Sequence, residues 1–169
     1  NECMLDCYWN GGSPRPQRRF YDSFVIATAK IGPEPDLANF SSWRTANFTG
    51  ADLTSDAISG PTADPDATGL SNLARYAFGL PARGRVANPV TPGTTTVGTD
   101  TFLTLTFPRR ATADGLTYTL EASTDLATWT AVPDRTYTAG SGPVTAQDAV
   151  ALGSANTPRR FLRVCLNQQ

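Results

Sequence analysis

Two runs in the second half of the chain alternate strictly between apolar and polar residues, and that period of two limits the fold more than any other feature. Leu103, Leu105 and Phe107 alternate with Thr104 and Thr106, and Leu116, Tyr118, Leu120 and Ala122 alternate with Thr117, Thr119 and Glu121. Successive side chains of an extended strand point to opposite faces, so each run offers one face to a core and one to water. Shorter runs follow at Trp129–Val132, Thr136–Thr138, Val144–Val150 and Arg160–Leu166, separated by Gly, Pro and Asp turns. This spacing predicts a small antiparallel β-sandwich over residues 101–169.

The preceding residues carry a different period. Pro33-Glu34-Pro35-Asp36 punctuates the chain, with Asp36 as a helix N-cap, and Leu37, Phe40, Trp43 and Ala46 follow at helical spacing. Arg44 and Asn47 fall off that face. Trp43 could stack on a sugar, but its place on the apolar stripe favours a buried anchor. Residues 49–63 are small and polar and read as a wrapping loop. Leu70, Leu73, Ala74, Ala77 and Phe78 then define a second helical face, with Gly79 as the C′ residue, expected to pack on Leu37, Phe40 and Trp43. The region 34–80 is thus a two-helix connector, and 81–100, rich in Pro, Gly and Thr, reads as a linker. At the start, residues 1–33 contain a Tyr8-Trp9-Asn10-Gly11-Gly12 turn and one or two strands. In Arg19–Ile31 the consecutive apolar residues Phe24, Val25, Ile26 and Ala27, with Phe20 before them, require cover on both faces.

Composition narrows the chemistry. The 169 residues hold 14 basic and 15 acidic side chains, so no charge imbalance points to nucleic acid or to an anionic membrane. No apolar run reaches the ~20 residues of a membrane-spanning helix. No signal peptide is visible, and the sequence reads as a mature or excised piece of something longer. There is no histidine, which excludes Ser-His-Asp and Cys-His nucleophile arrangements. The 3 cysteines cannot build a four-cysteine zinc site. No aspartate pair stands in a catalytic context, so the expectation is a protein that is not an enzyme.

Between the two periodic regions lies Asp64–Leu80, DPDATGLSNLARYAFGL. Calcium loops of the EF-hand type place oxygen ligands at positions 1, 3, 5, 7 and 9, glycine at 6 and a bidentate Glu at 12. Here Asp64, Asp66 and Thr68 occupy 1, 3 and 5, Gly69 takes 6, Leu70 offers its carbonyl at 7, Asn72 falls at 9 and Arg75 at 12. The stretch resembles the DPDGDGLSNLLEYALGL motif found near the C-termini of large secreted bacterial proteins, a relative of dockerin and thrombospondin type 3 calcium loops. In that family the acidic residues bind calcium. Asp64, Asp66, Gly69 and Asn72 match, whereas Thr68 and Arg75 depart and place a cation where the principal ligand belongs. The expectation is that Arg75 reaches back to Asp64 or Asp66 and replaces the ion by a salt bridge, leaving no cofactor, against weak calcium binding by the remaining ligands.

Two further resemblances bear on function. Tyr118–Trp129, YTLEASTDLATW, is similar to the fibronectin-type-III-like modules that close the same secreted proteins. YWNGG with FYDSFVIATAKIGP resembles the final strands of concanavalin-like jelly rolls in bacterial polysaccharide lyases. They imply an extracellular or cell-surface location and a structural or assembly role, with the Arg19–Ile31 strand complementing a neighbouring domain or a second copy. The alternative they imply is a carbohydrate-binding accessory region, with Trp9, Trp129 or Tyr137 as a glycan platform; for Trp129 a core role competes and is favoured. Arg109-Arg110 and Arg159-Arg160 read as solvated strand ends. Cys3 and Cys7 would lie roughly 13 Å apart in an extended strand, beyond a disulfide unless a turn intervenes. If Leu162, Val164 and Leu166 face the core, Cys165 faces outward, as a disulfide partner or as a free thiol.

Overall fold

A computed structural model of the chain describes residues 39–154 and 159–169. The N-terminal features (Cys3, Cys7, Trp9, the strand Arg19–Ile31 with Phe20, Phe24, Val25 and Ile26, and Asp36 and Leu37) lie outside the described residues. The described part is mainly β, a small sandwich of six antiparallel strands preceded by short helices.

The strands form where the alternation predicts them, except that the Trp129–Val132 and Thr136–Thr138 runs join into a single strand and one further strand forms where none is expected. They are β1 (Thr91–Val97), β2 (Asp100–Phe107), β3 (Leu116–Ser123), β4 (Thr130–Thr138), β5 (Val144–Ala151) and β6 (Phe161–Gln168). One sheet has the order β1-β2-β5 and the other β4-β3-β6. β1 falls within the expected linker 81–100. Its Thr-Thr-Thr-Val run is β-branched, and a two-residue turn at Gly98-Thr99, with Gly98 at φ +64, folds it back on β2 in full register from Thr91↔Thr106 to Val97↔Asp100. Pro92 is tolerated because β1 is an edge strand.

The inward residues of β3 make the sandwich core. Leu116, Tyr118, Leu120 and Ala122 are buried, facing Leu105 and Phe107 of β2, Val132 of β4 and Ala146 of β5. Phe107 stacks on Tyr118 at 5.8 Å between ring centroids, and Tyr137 meets Phe107 edge-on at 6.1 Å. Each such pair contributes about 0.5–1.5 kcal/mol beyond its buried area.

The connector differs from the expectation in number and extent of helices. Residues 49–63 are not a bare loop: α1 (Phe40–Asn47) is followed by α2 (Gly50–Thr54) and α3 (Asp56–Ser59), and α4 (Asn72–Ala77) follows the acidic loop. The Asn39 side chain caps α1 by accepting from the Ser42 N–H at 2.8 Å. After two turns Phe48 folds into the core, so Ala46 remains exposed. Arg44 is not solvated. Its guanidinium donates to the Ser59 hydroxyl and to the Leu53 carbonyl and pairs with Asp56 at 2.8 Å, tying the three helices together.

α4 joins connector and sandwich into one core. Tyr76 packs on Phe40 and Trp43, while Phe78 reaches Phe107 and Tyr118. Trp43 is the buried anchor, only 4% exposed, which removes it as a sugar platform. The helix ends in a Schellman motif, with Leu80 N–H bonded to Arg75 C=O, Gly79 N–H to Tyr76 C=O, and Gly79 at φ +67. The sandwich supplies further donors to this end: Tyr118 Oη donates to Ala77 O, and Arg110 adds a second donor to Tyr76 O at 3.0 Å while lying over the Tyr76 ring.

The paired arginines are therefore mostly structural. Arg109 donates to Thr138 O. Arg160 grips the fully buried Asp148 through two bonds of 2.6 and 2.7 Å, at a bulge where Asp148, Ala149 and Val150 of β5 face Leu103 alone. Only Arg159 sits at a solvated end as expected.

Candidate functional site

The acidic loop is the candidate site, and its sequence dictates a tight turn. Asp64 C=O accepts from Ala67 N–H, Ala67 takes φ +51, and Gly69 takes φ +82, where a β-carbon is strained. The turn wraps the loop around Asp64. One of its carboxylate oxygens accepts from the Thr68 hydroxyl at 3.1 Å and the other from the Gly69 N–H at 2.6 Å. The Thr68 and Gly69 N–H groups, the Thr68 hydroxyl and the Arg75 charge together hold the Asp64 carboxyl below the usual carboxylate range against partial desolvation.

Arg75 does reach back under the loop, but it does not form the expected salt bridge with Asp64 or Asp66. Its side chain is fully buried. One terminal nitrogen donates to Pro81 O at 2.8 Å, and the other to Gly84 O at 2.8 Å and to Thr68 Oγ1 at 2.9 Å. Thr68 then donates to Asp64, so cation and carboxylate are joined through one hydroxyl. The planar fork of guanidinium suits this arrangement of three acceptors, which a lysine ammonium could not span in the same way. The ion pair is made by a residue the spacing did not reveal. Arg83 lies 2.9 Å from Asp66, and the neighbouring Gly84 N–H bonds the same carboxylate. The Arg83 hydrogen bond first, then the Gly84 N–H and the charges of Arg83 and Arg75, depress the Asp66 carboxyl.

Asn72 is also diverted from the role its position suggests. Its amide nitrogen donates to Ile58 O and Gly60 O at 2.8 and 3.0 Å, pinning the turn after α3 to α4. The Asn72 and Leu73 N–H groups bond Ala63 O and Pro61 O alongside. Gly60 is required there by space: a β-carbon would lie 2.4 Å from Asp56 O. The Leu70 side chain is buried in the core.

The donor set does not fit calcium. The Asp64 oxygens face a hydroxyl and an N–H, those of Asp66 face Arg83 and an N–H, and the Asn72 amide is aimed at backbone carbonyls. A calcium site needs 6–8 convergent oxygens. A guanidinium bound to Thr68 instead supplies the positive charge beneath the acidic turn. Among the described residues no group of three or more His, Cys, Asp or Glu could hold a metal ion.

The remaining candidates lie on the β4-β3-β6 sheet and its turns, with Trp129 and Cys165 both beside the Arg163–Glu121 pair and Tyr137 turned to the other face. Trp129 is not in the core. It is half-buried, its indole N–H donates to Leu126 O, and the Arg163 guanidinium lies 4.2 Å above its ring while pairing with Glu121 at 2.7 Å. Tyr137 instead turns inward against Phe107. The two rings therefore do not form one platform. Cys165 lies opposite Thr119, on the outer face with Arg163, and is a free cysteine. Burial, with the Glu121 charge nearby, pushes its thiol up. The DLATW turn is built by Asp125, which accepts from the Ser123 hydroxyl and the Ala127 and Thr128 N–H groups. The Thr128 and Ala127 N–H groups lead in lowering its pKa to about 2.

Arg83, Arg110, Asp148 and Arg160 were invisible as partners because their pairings are long-range and follow no period. Comparison with family models, curated proteins and solved structures finds no match for this chain.

Proposed function

We propose that the chain is a non-catalytic structural module of an extracellular or cell-surface assembly, in which strand pairing between copies or neighbouring domains makes the joints. The observation that carries this reading is the state of the sheet edges. Free edges invite pairing, and proteins blunt them with proline, bulges or short strands. β1 carries Pro92, β4 carries Pro133 and a register shift after Thr119, and β5 carries the Asp148 bulge. β6 has no proline, no glycine and no bulge, and pairs with β3 residue for residue from Phe161↔Ser123 to Gln168↔Leu116. Main-chain pairing at such an edge gives affinity, and side chains give specificity.

The alternative, a carbohydrate-binding accessory region, is favoured by one observation: Trp129 is partly exposed on the outer sheet face. Sedimentation velocity of the full chain over a concentration series tests the assembly reading. Particle size should grow with concentration into rings or filaments. A monomer at every concentration, together with binding in a glycan panel that Trp129→Ala abolishes, would favour the alternative.

A further inference from the structure

We infer that the acceptor for this pairing is the free side of β6, and that its occupant is the Arg19–Ile31 strand of a second copy of this chain; the inference rests on the assembly reading. Across the sandwich β2 packs on β6 and β5 packs on β4. Among the described residues, β1 meets the β4-β3-β6 sheet only loosely, sharing a cavity with β6 through Pro92 rather than packing closely on any of its strands. The burial of both flanking strands shows the consequence. Six of the seven β1 residues are exposed, Val97 to 57%. Leu162, Val164 and Leu166 of β6 point inward yet stay only partly buried, whereas their cross-strand partners on β3 are buried. A groove of about 400 Å³ runs beside them, walled by Leu70, Ala74 and Phe78 of α4 and its flanks on one side and by Val90, Pro92 and Leu105 of β1, its approach and β2 on the other. A seventh strand beside β6 and under β1 would fill this groove with one face.

The occupant must be extended, free of proline and apolar on the face it presents to the groove. By sequence, Arg19–Ile31 is free of proline, rich in the β-branched and aromatic residues that suit a strand, and carries the consecutive apolar residues Phe24–Ala27. Its length exceeds the 8 residues of β6. Connectivity favours a second copy. Asn39 and Phe40 share a cavity with Gln168 and Gln169, so the described chain begins at the C-terminal end of β6. A segment of the same chain leading directly into Asn39 along β6 would run parallel to it, in a sandwich that is otherwise antiparallel. To lie antiparallel it would need the residues after Ile31 to retrace the whole strand, about 26 Å at ~3.3 Å per residue, almost fully extended. A strand from another molecule has no such restriction, and repetition propagates head to tail.

The test adds a synthetic peptide of residues 19–31 to the full chain and follows both particle size and hydrogen exchange of the β6 amides. The peptide should cap growth, and at about 100 times its dissociation constant it should slow exchange of the outward β6 amides by about 100-fold. Full chain carrying Val25→Asp should remain monomeric and should still protect β6 when the wild-type peptide is supplied. Assembly that the peptide neither caps nor competes with, with β6 exchange unchanged, would overturn the acceptor while leaving the assembly reading intact. A full chain that is monomeric at all concentrations would defeat the assembly reading itself; if its β6 amides are already protected, the segment pairs within its own chain.

Discussion

The acidic loop and the β6 edge both border α4, and they treat their polar groups in different ways. In the loop, both carboxylates, the Thr68 hydroxyl and both terminal nitrogens of Arg75 find partners within a span of 21 residues, from Asp64 to Gly84. At β6, backbone pairing is complete on the β3 side, and among the described residues no strand pairs on the other. A loop with the outline of a ligand site has its carboxylates taken up by its own donors, with Arg75 Nε and Asn72 Oδ1 left buried and unpaired, while β6 keeps one side free of any strand among the described residues. The contrast teaches that motif outline and binding capacity are separate properties. Capacity for strand pairing belongs to a strand edge, not to single buried atoms left over inside a turn.

The largest effect should come from opening the closed side. Arg75→Met leaves Pro81 O and Gly84 O without their buried donor and removes the charge beneath the carboxylates. We expect each carbonyl left without its buried donor to cost about 1–3 kcal/mol in chemical denaturation, with only partial rescue by Arg75→Lys. A loss under 1 kcal/mol would mean that the guanidinium is not what closes the loop.

Next comes the brace that Asn72 holds. Gly60→Ala forces a β-carbon to within 2.4 Å of Asp56 O, and we expect about 1–3 kcal/mol of destabilisation without any change in particle size. A change in assembly from this substitution would show that loop and edge are coupled rather than independent.

Acid should erode the closed side while leaving the pairing capacity of β6 untouched. Asp64, Asp66 and Asp125 all have carboxyls depressed below 3.8, Asp125 to about 2. A depressed carboxyl contributes stability that is fully present above its unfolded value and lost as pH falls through its folded value. Melting temperature should thus fall steadily from about pH 4 towards pH 2, and a melt that is flat over this window would contradict the hydrogen bonding assigned to these residues. The smallest effect should come from metal removal. A site saturated 100-fold would contribute about 2.7 kcal/mol, so chelation should lower the melting temperature by several degrees if the loop held calcium. We expect no shift in the natural chain, and a calcium-dependent melt in Arg75→Glu combined with Thr68→Asp.

The parts legible in the sequence were those governed by local period or local turn chemistry. Alternation located β2 and β3, helical spacing placed Phe40 and Trp43 against α4, and Gly79 marked the end of that helix. The outward orientation of Cys165 followed from the same alternation. Composition misled at 81–100, where Pro and Gly suggested a linker although the Thr-Thr-Thr-Val run pairs with β2. In the site, the sequence located the loop and the presence of Arg75 within it. It could not supply the partners, because the choice among Asp64, Asp66, Thr68 and carbonyls 6 to 9 residues downstream depends on how Pro81–Gly84 folds back.

One measurement reads both sides of the comparison at once: hydrogen exchange of the full chain, at a low and a high concentration, with and without calcium. The account predicts that the α4 amides exchange slowly under all four conditions. The outward β6 amides should exchange fast when dilute and become protected as concentration rises. Protection of α4 that depends on calcium, or β6 amides already as slow as those of β3 in dilute solution, would contradict it.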